Sequence, residues 1–99
     1  MPLSTLRLVE RRLREAFPQA HIVLRDNSAL HAGHQGLREH GGGHFHLRII
    51  DAQFHGLSRI RRHQLIYAAL GELFQDTIHA LSIQALSPAE ADRAMPDPT

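Results

Sequence analysis

The residues best suited to chemistry in this chain are histidines, and five of its nine lie in the polar stretch HAGHQGLREHGGGHFH, residues 31–46. His31 and His34 are three residues apart, while His44 and His46 share one face of any strand that contains them, because side chains alternate along a strand. Either pair could chelate zinc, copper or nickel with modest affinity. Neither spacing is an established zinc motif, and loop histidines are usually plain polar surface groups. Both interpretations stay open at this point.

The absence of cysteine limits what these histidines could do. The chain can supply neither a disulfide nor a thiolate, so an iron–sulfur site built from this chain alone is excluded and any thiolate ligand must come from a partner. Catalysis by a histidine needs a placed carboxylate or serine, and Asp26, Ser28 and Asp51 show no recognisable catalytic spacing. We therefore expect a binding protein and not an enzyme.

Three arginines, Arg59, Arg61 and Arg62, open a predicted helix and are the strongest nucleic-acid signal, because guanidinium groups contact phosphates. A patch of this size with little aromatic support is also typical of a solvated helix face. Charge is divided along the chain, with ten arginines and five acidic residues in 1–62, and one arginine and five acidic residues in 63–99. Such a division can orient a partner but does not identify it.

The elements that must position these side chains follow from hydrophobic periodicity. A first helix ending before Pro18 is predicted by apolar residues at helical spacing, namely Leu6, Val9, Leu13 and Phe17. Alternating or β-branched segments predict strands, and a capping box begun by Ser87 predicts the last helix. The remaining predicted elements are strands at 21–26 and 44–50, a helix at 59–76 with an apolar face of Leu65, Ile66, Ala69, Leu70 and Leu73, and a strand at 77–86.

This order, αββαβα, predicts an α/β (α+β) fold with a three-stranded mixed sheet and helices packed on it. The crossover through the helix should be right-handed and should bring the third strand in parallel to a neighbour. At 99 residues we expect a single domain over 1–99 with an ordered core at about 4–94 and a frayed tail at 95–99. No segment reads as a secretory signal or a membrane span, so we expect a cytoplasmic protein, monomeric when free or weakly homodimeric.

Three segments taken in order resemble the BolA family: HFHLRII, FHGLSRIRRHQLIYAAL and IHALSIQALSPAE. The resemblance runs from about Leu6 to Ala91. Its specific pieces are His44-Phe45, Phe54-x-Gly56, Arg62-His63, Ile66-Tyr67-x-x-Leu70 and Ile78-His79-Ala80-Leu81. The chain departs from the family pattern at Gln64, where an arginine is common, and in its long connection rich in glycine and histidine.

The resemblance implies a fold similar to class II KH domains without their GxxG helix junction. BolA-like proteins are linked to two activities and are not known as enzymes. They pair with monothiol glutaredoxins around a shared [2Fe-2S] cluster, and they regulate transcription by binding DNA, for which the candidates here are the three arginines named above.

The resemblance also implies site residues. The family's cluster ligands, a histidine opening the third strand and a histidine or cysteine in the loop after the first, fall here on His79 and His31. His34 is the substitute if the loop register differs. His44 and His63 match family motifs and are expected to be structural or to orient a ligand. Imidazoles on one iron and thiolates on the other form a workable [2Fe-2S] site, so a glutaredoxin carrying glutathione would supply the thiolates and the isolated chain should hold no stable cluster.

Overall fold

The computed structural model describes residues 5–26, 44–76 and 78–93. Predictions that concern the connection between the first two strands, including the ligand roles of His31 and His34, lie outside the described residues, as does the predicted frayed tail at 95–99. In the described part of the chain, no helix is long and apolar enough to cross a membrane.

The order of elements confirms the predicted αββαβα arrangement and the α+β class. The elements are α1 (Thr5–Ala16), β1 (His21–Asp26), β2 (His44–Ile50), a short 3-10 helix (Ala52–Phe54), α2 (Arg59–Leu70), α3 (Leu73–Asp76), β3 (Ala80–Leu86) and α4 (Pro88–Arg93).

The three strands form one mixed sheet in the order β1-β2-β3. The β1–β2 pair is antiparallel, with Asp26 opposite Phe45, and the β2–β3 pair is parallel, with His44 opposite Ala80. The parallel pair confirms the prediction made from the crossover helix. Because parallel strands start at the same edge of a sheet, the beginnings of β2 and β3 lie side by side.

One face of the sheet carries the core. Phe45, Leu47 and Ile49 alternate along β2 and are at most 3% exposed, because side chains with a period of two enter the same layer. Apolar side chains of the two long helices join the same core cluster, which includes Val9 and Leu13 from α1 and Ile66 and Leu70 from α2. The intervening residues of β2 are only partly buried and lie on the opposite face.

The prediction of one continuous helix over 59–76 is wrong, because the structure has two helices, α2 and α3, in this segment. Gly71 adopts φ +49°, a backbone conformation that residues with a Cβ rarely adopt, and its N–H bonds the Tyr67 carbonyl to end α2. The chain then makes the short α3, which buries Leu73. Leu65 is also misassigned, because it is 38% exposed while Ile66 faces the core.

The capping box at the start of α4 forms as predicted. The Glu90 N–H donates to the Ser87 hydroxyl at 3.3 Å, and the Ser87 N–H donates to a Glu90 carboxylate oxygen at 2.8 Å. Ser87 is buried. The exchange fixes how the chain leaves β3 and turns into α4.

Candidate functional site

His79 lies immediately before β3, at the edge of the sheet where β2 and β3 begin. Its side chain is exposed, whereas that of the neighbouring Ile78 is 3% exposed. Burial of Ile78 anchors the backbone beside the core, so the next side chain is presented at a defined place on the surface. This position is compatible with a fixed, solvent-accessible ligand. His79 precedes β3 by one residue and does not open the strand itself.

His44, the first residue of β2, brings a second imidazole to His79. Their ring centroids are 6.3 Å apart and the ring planes differ by 6°, so the two rings are stacked. The parallel register explains this closeness, since His44 is opposite Ala80, the residue after His79. His44 therefore lies next to His79, and its expected structural or orienting role stays a prediction.

Sequence reasoning missed this particular pair and grouped His44 with His46. Those two do share the partly buried face of β2, as alternation predicts, and the Cα partners of His46 are Arg25 and Ser82. The signal for the His44–His79 pair was available, because two strands that each begin near a histidine and run in parallel bring those histidines together.

The connection that carries His31 and His34 leaves and re-enters the sheet at this same edge. Asp26 ends β1 opposite Phe45, and His44 starts β2. The His44 end of the connection therefore lies next to His79, and the Asp26 end lies at the same end of the sheet, on the far side of β2. The topology makes a loop ligand compatible with a ligand at His79, although the positions of the loop histidines lie outside the described residues.

His63 lies elsewhere in the fold. It borders a cavity beside Ile83–Leu86, in the second half of β3, whereas His79 precedes the first residue of that strand. At about 3.3 Å per residue, four or more residues of strand separate the two sites by more than about 13 Å. His63 therefore lies beside the second half of β3 and not beside His44 at the start of the sheet, and its expected role stays a prediction.

The three candidate arginines do not form one exposed patch. Arg62 is 8% exposed, and its guanidinium donates to the carbonyls of Leu57 and Ala85, both at 2.9 Å, and to Glu90 at 2.6 and 3.2 Å. These contacts tie α2 to β3 and α4. The guanidinium of Arg62 is thus not available to phosphates, and the expectation that it contacts DNA is corrected.

Arg59 and Arg61 are exposed at the start of α2, where Ser58 caps the helix by accepting the Arg61 N–H at 3.1 Å. Neither guanidinium makes an ion pair with another described residue. The two arginines therefore remain available to an anionic partner.

The donor set fits part of a metal site and not a complete one. Among residues 5–26, 44–76 and 78–93, no three histidine, aspartate or glutamate side chains are grouped to hold a metal ion. The whole chain lacks cysteine. A [2Fe-2S] cluster needs four terminal ligands, so this edge could contribute imidazole to a cluster whose thiolates come from another molecule.

Comparisons with known proteins agree on one family. A family model described as BolA-like protein matches residues 13–90. The chain is 37% identical over 82 residues to BolA-like protein 1 of Homo sapiens, a match that covers 83% of this chain and 57% of that protein. It is also 37% identical over 86 residues to SufE-like protein 1, chloroplastic/mitochondrial, of Arabidopsis thaliana, covering 83% of this chain and 23% of that protein. The chain thus spans little more than half the length of the first relative and about a quarter of the second.

A further relative and two solved structures extend this agreement. The DNA-binding transcriptional regulator BolA of Haemophilus influenzae is 28% identical over 88 residues, covering 89% of this chain and 82% of that protein. The structure of BolA1 from Arabidopsis thaliana has a TM-score of 0.77 at 29% identity and covers 91% of this chain and 98% of that one. The BolA domain of SufE1 from the same plant has a TM-score of 0.74 at 35% identity, with 91% and 99% covered.

Proposed function

This chain belongs to the BolA-like protein family, and we propose that it binds a monothiol glutaredoxin and shares with it a glutathione-ligated [2Fe-2S] cluster. The cluster is cargo or signal in iron–sulfur trafficking or in iron and redox regulation, and the chain acts by binding and not by catalysis. We also propose a cytoplasmic location. The name of SufE-like protein 1 specifies chloroplasts and mitochondria, and that is said of that protein alone.

One observation carries this proposal: an exposed His79, stacked against His44, at the edge where both ends of the histidine-rich connection meet. In the proposed complex His79 is the fixed ligand and His31 is the loop ligand, with His34 as its substitute. His44 holds the position of the bound His79 ring. The partner and its glutathione supply the thiolates that the chain lacks.

The test is reconstitution of the chain with a monothiol glutaredoxin, glutathione, iron and sulfide, followed by visible circular dichroism. The wild-type chain should change the spectrum of the cluster-loaded glutaredoxin, and His79→Ala should abolish that change. His55→Ala is the matched control, because His55 is exposed beyond the opposite end of β2. Equal effects of the two variants would contradict the proposed ligand.

The loop ligand is tested separately. His31→Ala alone should weaken the new signal only partly, because His34 stands three residues away. The double replacement of His31 and His34 should be as damaging as His79→Ala. Complete loss in His31→Ala alone would refute the substitute role of His34.

A second candidate function is DNA binding, favoured by the exposed guanidinium groups of Arg59 and Arg61 and by the name of the Haemophilus relative. Phosphate contacts release counterions, so affinity should fall steeply with salt. Replacing both arginines with glutamine should lower the magnitude of the slope of log affinity against log salt by about 2. The same replacements at Arg11 and Arg14, exposed on α1, are the control. An unchanged slope in the first variant would count against this function.

A further inference from the structure

A groove lies along the outer edge of β3, beside the second half of the strand. His79 precedes the first half and lies outside the groove. The groove is a cavity of about 520 Å³ bordered by four consecutive residues, Ile83–Leu86, and by Arg59 and His63 of α2. Successive side chains of a strand point to opposite faces of the sheet. Four consecutive side chains cannot all face one cavity, so these residues border it through their main chain. The groove therefore offers main-chain N–H and C=O groups to a bound molecule.

Hydrogen bonds show which of these main-chain groups face the groove. The Asp51 N–H donates to the Leu86 carbonyl at 3.0 Å, so the main-chain groups of Leu86 face β2. Arg62 donates to the Ala85 carbonyl from the groove side, so the main-chain groups of Ala85 point away from β2. Because the direction alternates along a strand, Ile83 points its N–H and C=O outward, as Ala85 does. In the described sheet β3 is an end strand. Its edge thus offers the Ala85 N–H and both main-chain groups of Ile83 to another strand.

The charge beside this edge is cationic. Among the described residues, the one carboxylate that borders the groove is that of Glu90, which is paired with Arg62 at 2.6 Å. Arg59 is exposed and makes no ion pair with another described residue, and His63 is half-buried one helical turn further on. An anionic side chain would therefore be favoured next to the open main-chain groups.

We propose that this groove binds an extended acidic segment of a partner protein, which adds to β3 as a fourth strand and places a carboxylate against Arg59 and His63. Main-chain pairing gives such a site its affinity, and the flanking side chains select the sequence. Nucleic acid fits less well, because its backbone has no row of amides to pair with Ile83 and Ala85. The proposal is independent of any cluster at His79.

The probe is a seven-residue peptide that alternates glutamate with valine and threonine, capped at both ends. Titrated into the ¹⁵N-labelled full chain, it should shift the amide signals of Ile83 and Ala85. A peptide with lysine in place of glutamate should not bind measurably. Methylating every second main-chain nitrogen of the acidic peptide, in each of the two possible phases, should abolish binding in one phase, because the methyl groups then replace the donors that face β3.

Two variants separate the groove from the rest of the helix surface. Arg59→Gln should weaken peptide binding by about threefold to fivefold, as expected for one exposed charge pair. Arg61→Gln removes the same charge from the same helix but lies outside the groove, so it should leave the affinity unchanged. Both variants should retain the wild-type spectrum elsewhere.

Several results would overturn the proposal. These are equal binding of the lysine peptide, signal shifts confined to another surface, and indifference to both phases of methylation. Equal effects of the two arginine variants together with displacement of the peptide by duplex DNA would assign the surface to nucleic acid instead. Concentration-dependent self-association that broadens Ile83 and Ala85 and blocks the peptide would assign the edge to a second copy of the chain.

Discussion

At the scale of single residues, the expected and the observed surroundings differ most for Arg62. In the sequence it is one of three arginines opening a helix, and its neighbours Arg59 and Arg61 are solvated as that pattern suggests. The structure instead buries Arg62 against Glu90 and two carbonyls. Its partner is 28 positions away in sequence, so helical periodicity cannot separate this arginine from a surface one. The capping box that places Glu90 is local in sequence and was therefore predictable.

This ion pair leads to a prediction about acid. The Arg62 guanidinium, with help from the Ser87 N–H, holds the pKa of Glu90 down from its ordinary value of 4.5 to about 2. A carboxylate with a lowered pKa in the folded chain favours folding above its ordinary pKa, and this contribution is lost as the pH falls from 4.5 towards 2. The free energy of unfolding of Glu90→Gln should therefore be lower than that of wild type above pH 4.5. The two values should converge as the pH falls towards 2.

Urea unfolding at a series of pH values measures this difference. Asp92→Asn is the control, because Asp92 is exposed on the same helix and makes no ion pair with another described residue. A Glu90→Gln deficit that is constant from neutral pH to pH 2 would contradict the assigned role of the pair.

At the scale of elements, the order αββαβα could be predicted from local periodicity, and the parallel β2–β3 pair from the helix that crosses over between the two strands. The end of α2 could not. A glycine inside an apolar helical pattern is usually tolerated, and the conformation of Gly71 depends on where the core requires Leu73 and Ile78 to be buried. The same requirement sets the position of His79.

Gly71→Ala tests this break in the helix. The nearest non-neighbouring atoms to an added Cβ would be 3.9 Å away, so the change is not crowded and its cost is conformational. We expect a loss of about 1–2 kcal/mol in the free energy of unfolding, measured by urea titration, because an L-residue at positive φ is disfavoured. Wild-type stability in Gly71→Ala would mean that the backbone there is not constrained.

At the scale of the whole molecule, the chain presents imidazoles at one end of its sheet and no thiolate anywhere. The sequence alone identified His79 through its resemblance to a family, but the contact with His44 became visible only when the parallel register was known. The ligand role of His31 remains a prediction. Its support is topological, since both ends of its connection join the sheet at the end where His79 lies.

The isolated chain should therefore hold no stable [2Fe-2S] cluster. With iron and sulfide but neither glutathione nor glutaredoxin, the desalted protein should show no visible absorption from a cluster, because imidazoles alone leave the iron without its thiolate ligands. The control is the same mixture with glutathione and glutaredoxin added. A stoichiometric cluster retained by the chain alone would contradict the shared-cluster account.

The measurement that tests the central claim most directly is electron–nuclear double resonance on the reduced cluster of the mixed complex, with ¹⁵N-histidine incorporated only into this chain. Ligation through His79 and a loop histidine predicts strong ¹⁵N hyperfine couplings when this chain is labelled. The His79 coupling should be lost in His79→Ala and kept in His55→Ala. If a cluster forms in the complex but shows no ¹⁵N coupling from the labelled chain, this protein does not ligate it through histidine and the account is wrong.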